Sequence, residues 1–141
     1  MMRLRPLASA YAIGVGLAML GLWTALYLTG EIPDLATAPL EIGFHLVAEG
    51  LTAIALLAAG VGVFRDWGVA VRLLPVALGM LLYTVVNSAG YYANLGEWPM
   101  VGMFLALTAL TLVLLLAILR GWMDLPGGQD GAANREVERG A

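Results

Sequence analysis

Glu41, His45, Glu49 and Thr52 follow one another at offsets of 0, 4, 8 and 11 in an otherwise apolar stretch of the chain. At roughly 100° per residue these offsets fall within an arc of about 80°, so a helix carries all four on one face. Tyr83, Asn87, Tyr91 and Asn94 repeat the same offsets in a second apolar stretch. A carboxyl group beside an imidazole can relay a proton, protonate a carbon in an apolar pocket, or hold the polar head of a lipid or quinone. Glu49 and His45 are the residues with acid–base capacity, and the eight together form the candidate ligand-binding set. Polar side chains also glue apolar helices to one another, each bond contributing about 0.6 kcal/mol on average. Glu41 stands where a first helical turn begins, a place the helix dipole alone favours for a carboxylate. Glu49 is the member that glue explains least, because glue requires no carboxylic acid deep in an apolar span.

Other chemistries are excluded by what is missing. The chain has no cysteine and one histidine, which removes thiolate nucleophiles, disulfides, zinc–thiolate sites and bis-histidine haem ligation. Glu41, His45 and Glu49 are stacked along about 12 Å of one helix at 1.5 Å per residue, so they do not converge on a metal unaided. No metal and no cofactor is expected, and no phosphate loop, dinucleotide fingerprint or nucleophile motif is present. The seven basic residues are all arginine and never form a run, so nucleic acid is not a partner.

The elements that must position these residues follow from composition. Of 141 residues 61% are hydrophobic and 12% charged, with a mean hydropathy of +0.88. A chain of this size has too little interior to hide so much apolar surface, so the lipid bilayer must cover it. Four apolar runs, over about 7–29, 40–64, 69–95 and 100–119, are long enough to cross a bilayer as helices. Pro6, Pro39 and Pro99 mark helix starts, with Thr37 as an N-cap. Short links between the runs make neighbouring helices antiparallel. The expected fold is an all-α, integral membrane, four-helix up-down-up-down bundle over residues 1–122. Residues 123–141, rich in Gly, Asp, Glu and Arg, read as a disordered cytoplasmic tail.

Arg3 and Arg5 precede run one, Arg65 and Arg72 flank the link between runs two and three, and Arg120, Arg135 and Arg139 follow run four, which places those segments and both termini in the cytoplasm. The predicted location is the inner (cytoplasmic) membrane, multi-pass. Trp23, Tyr27, Tyr91, Tyr92 and Trp98 then form an aromatic belt at the outer boundary. Measured from the outer surface, Glu49 lies about 13 Å and Asn87 about 12 Å deep. Glu49 is therefore expected to face Asn87 and Tyr83, His45 to face Tyr91, and Glu41 to face Asn94, while Leu46, Ile54, Leu57 and Val61 point to lipid. Gly14, Gly16, Gly60 and Gly62 permit close helix approach; Gly14, Ala18 and Gly21 suit either internal packing or a homodimer face. Gly30-Glu31-Ile32-Pro33 after run one echoes Gly96-Glu97-Trp98-Pro99 after run three, 66 residues later.

Residues 48–65, AEGLTAIALLAAGVGVFR, resemble the second helix of DoxX-like four-helix membrane proteins, in which an intramembrane Glu precedes small and apolar residues, a glycine and a basic turn. Residues 78–88, LGMLLYTVVNS, with Gly90-Tyr91-Tyr92 beyond them, resemble small bacterial four-helix membrane proteins of the same kind. The resemblance covers about residues 7–120, does not extend to His45, and implies an accessory role beside a membrane oxidoreductase or quinone. Three functions follow from the residues: an accessory or ligand-binding subunit, a proton-coupled small transporter working as a dimer, or a membrane enzyme performing acid–base chemistry on a lipid or isoprenoid.

Overall fold

A computed structural model describes residues 4–32 and 35–121; the tail expected over 123–141 lies outside the described residues. The described chain is four α-helices: α1 (Leu4–Thr29), α2 (Pro39–Phe64), α3 (Ala70–Asn94) and α4 (Trp98–Leu119). All four are long and apolar enough to cross a membrane. Their exterior is apolar: Leu17, Leu28, Val47, Ile54, Val113 and Leu119 all stand exposed. Pro39 and Pro99 lie in the first turns of α2 and α4, where a missing N–H breaks no helical bond. The N-cap of α2 is Ala38 rather than Thr37. Pro75 falls inside α3, which runs through it from Ala70.

The four-residue echo is a repeated stop signal. After α1 the Glu31 N–H reaches the Leu26 carbonyl at 3.0 Å, and after α3 the Glu97 N–H reaches Tyr92 at 3.0 Å. In each case a glycine at positive φ, Gly30 at 72° and Gly96 at 75°, turns the chain so that this six-to-one bond can form. The end of α2 closes the same way, Trp67 N–H to Gly62 at 2.8 Å, with Asp66 at φ 59° in the glycine's place. Arg5 from α1 fastens this turn, donating to the Val63 carbonyl at 2.9 Å and to the Asp66 carboxylate.

The packed core occupies one half of the molecule. Ala8 and Ala12 of α1, Leu56, Ala59 and Val63 of α2, Ala70, Leu74, Ala77, Leu78 and Leu81 of α3, and Leu114 of α4 are all buried there. Small residues bring α1 against α2. The Ser9 hydroxyl donates to the Gly60 carbonyl at 2.7 Å, and Gly16 lies against Leu57 and Ala53. Leu57 therefore faces α1 and not lipid, a correction to the expected wheel. Contacts that climb α1 from Ser9 through Gly16 to Trp23 descend α2 from Gly60 to Glu49, so these two helices run in opposite directions. The expectation of room-making glycines divides accordingly: Gly16, Gly60 and Gly62 each touch a neighbour, whereas Gly14 and Gly21 face open space.

A Cβ at Gly60 would sit 2.7 Å from Ile13 Cγ1 and 3.0 Å from the Ser9 carbonyl oxygen, so a backbone must move to admit it. Gly60→Ala is expected to destabilise by about 1–3 kcal/mol. Gly14→Ala, which meets nothing within 4 Å, should be neutral or slightly stabilising through helix propensity. Thermal unfolding of the two variants in one detergent checks the contrast.

Candidate functional site

Glu49 sits ten residues into α2, which places it about 15 Å along the axis at 1.5 Å per residue. It is 8% exposed. A carboxyl so buried needs partners from the protein itself, and two come from α1 and α2. The indole Nε1 of Trp23 donates to Glu49 Oε2 at 2.5 Å. His45, one turn earlier on the same face, brings its Nε2 within 3.3 Å of Oε1. The Trp23 and His45 rings meet edge to face, with centroids 5.8 Å apart and planes at 75°. Trp23, His45 and Glu49 thus form a closed trio in which each member touches the other two.

The expected partners of Glu49 stand elsewhere. Tyr83 is 70% exposed and Asn87 is exposed; they border the same cavity as Glu49 without bonding to it. Trp23 takes their place, because α1 lies close to α2 along the small residues and directs its indole inward. Trp23, expected among the aromatic residues of the outer boundary, is instead bonded to Glu49. A signal for this existed: Trp23 is six residues from the end of α1, about 9 Å inside it, deeper than an interfacial ring needs to be, and a buried indole seeks an acceptor.

Trio and α3 residues line one cavity of about 840 Å³. It occupies the half of the molecule that the core leaves open, between the later turns of α1 and α3 and the earlier turns of α2 and α4. Glu41, His45 and Glu49 supply one wall, and Tyr83, Asn87, Ser88 and Tyr91 another. Val15, Met19, Leu81, Val85 and Leu107 give it an apolar lining. Phe104 of α4 stacks on Tyr92, centroids 5.6 Å apart. Toward the packed half, the Tyr11 hydroxyl lies 2.7 Å from Thr111 Oγ1 and joins α1 to α4.

Two of the eight expected residues do not border the cavity. Thr52 is buried but turns its hydroxyl to the Ala48 carbonyl at 2.8 Å, which satisfies it within its own helix. Asn94 is exposed and outside the lining, so Glu41 does not meet it there. Among the described residues no group of three His, Asp or Glu side chains is arranged to hold a metal ion. The lining is mostly apolar with a few convergent polar groups, and its volume lies within the ~300–1,000 Å³ usual for small-molecule sites.

A family model described as a domain of unknown function (DUF8058) matches residues 2–127. No curated protein and no solved structure matches the chain.

The trio makes a quantitative prediction. Trp23→Phe keeps the ring and removes the donor, and Glu49→Met keeps the length and removes the acceptor. Each alone strands a buried polar group and should cost about 1–3 kcal/mol. The double variant should be less destabilised than the sum of the two, with a coupling of about 1 kcal/mol. Unfolding of the four proteins in mild detergent measures that coupling; strict additivity would remove the Trp23–Glu49 bond from the account.

Proposed function

The chain belongs to the DUF8058 family, and we propose that it is a small multi-pass protein of the inner membrane that binds an amphipathic molecule, a lipid or a quinone, as an accessory subunit. Four helices of spanning length and an apolar exterior support insertion as an up-down-up-down bundle. The arginines support the orientation. Arg5, Arg65, Arg72 and Arg120 sit at or next to helix ends of the packed half, which supports a cytoplasmic packed half and an external cavity half.

The observation that carries the reading is the placement of Glu49. A carboxyl group is held by Trp23 and His45 at the wall of a cavity of about 840 Å³, outside the hydrophobic core of the packed half. A group serving only as glue belongs in the packed half, where Ser9 does that work. An amphiphile in the cavity presents its head to His45, Glu49 and Asn87 and its tail to Leu81, Val85 and Leu107. The likeness of residues 48–65 to DoxX-like proteins supports a place beside a membrane oxidoreductase.

Native mass spectrometry of the full chain released from mild detergent tests this. The wild type is expected to carry one amphiphile per chain, and Glu49→Gln, which keeps the carbonyl acceptor for Trp23 but cannot carry the charge or exchange a proton, is expected to lose it at unchanged melting temperature. Identical adducts on both proteins would make Glu49 structural.

A further inference from the structure

The cavity is distinguished by its ionisable and aromatic side chains. Its lining contains two carboxyl groups, Glu41 and Glu49, and no arginine. The described arginines lie at the opposite end of the molecule; Arg5 precedes Trp23 by 18 residues, about 27 Å along α1. The rest of the lining is rich in aromatic rings: Trp23, Phe44, Tyr83, Tyr91, Tyr92 and Phe104. Aromatic faces are electron-rich and attract cations, most strongly where water is scarce.

Anionic heads fit this lining poorly. A phosphate or carboxylate head meets two carboxyl groups and no arginine, and the one imidazole, His45, is already turned to Glu49 at 3.3 Å. A cation needs acceptors and π faces, and these are what the cavity offers.

We propose that the cavity takes lipophilic organic cations, amphiphiles whose head is a quaternary ammonium, phosphonium or protonated amine. The cation sits between the carboxyl groups of Glu41 and Glu49 with its substituents against the rings. Phe44 and Tyr83, 77% and 70% exposed, border the cavity on α2 and α3, so the ligand enters from the bilayer along that seam. This rests on the reading of the cavity as a ligand site and narrows the ligand by charge.

The test compares two probes of the same shape and opposite sign, tetraphenylphosphonium and tetraphenylborate, with decylubiquinone as a neutral third. Binding is measured on the full chain in zwitterionic nanodiscs, and partition into empty nanodiscs is subtracted. Saturable binding of tetraphenylphosphonium is expected, weakened at least tenfold in Glu49→Gln and also weakened in Glu41→Gln, whose site is exposed and leaves folding untouched. Tetraphenylborate should show no saturable component. Equal binding of the two ions, or saturable binding of decylubiquinone alone, overturns the charge preference and leaves the ligand site standing. Failure of all three probes on a folded protein overturns both readings.

Discussion

A carboxyl group in the middle of an apolar helix must find its partners inside the protein, and the structure depends on how Glu49 does so. Its partners are Trp23 and His45. His45 comes with the helix, four residues earlier on the same face. Trp23 comes only if α1 lies close beside α2 in one register. Ser9, Gly16, Ala53 and Gly60 set that register, because larger residues at Gly16 or Gly60 would collide with Leu57 or Ile13. Glycine packing near one end of the hairpin thus determines which side chain reaches the acid nearer the other.

The two halves of the bundle differ because their side chains do. The packed half is built of Ala, Gly, Leu and Val, which interdigitate and leave α1 in contact with α2. The cavity half carries Trp23, Tyr91, Tyr92 and Phe104, whose rings pack against one another or against His45 and do not fill the centre. The Tyr11–Thr111 contact ties α1 to α4 on the packed side. Arg5 on the Val63 carbonyl and Asp66 secures the far end. A closed base under an open half follows from this distribution.

Much of this was legible in the residues, and the losses have physical causes. Four helices could be read from apolar run length, because nothing else in a short chain hides so many Leu and Val. The face shared by Glu41, His45 and Glu49 followed from helical period alone. Which helix supplies the partner did not. Depth matching brings Asn87 level with Glu49 but is blind to rotation about the helix axis, and a rotation of α3 turns Asn87 and Tyr83 toward the exterior. Leu57 was misplaced for a related reason: its angle points away from the polar face, yet α1 covers that side through Gly16. The repeated Gly-Glu-x-Pro was visible as an echo, and its meaning emerged only from the positive φ of Gly30 and Gly96.

The central claim is that one half of the bundle is accessible and the other is sealed, and the absence of native cysteine makes it directly measurable. Ser88 lines the cavity, whereas Ser9 is 2% exposed against Gly60. Serine and cysteine are nearly the same size, so Ser88→Cys and Ser9→Cys place one thiol in each half with little disturbance. In ligand-depleted protein, N-ethylmaleimide should modify the Ser88→Cys protein in its folded state and the Ser9→Cys protein only after unfolding. Equal rates in the folded proteins, or protection of both, would contradict an open cavity around Glu49.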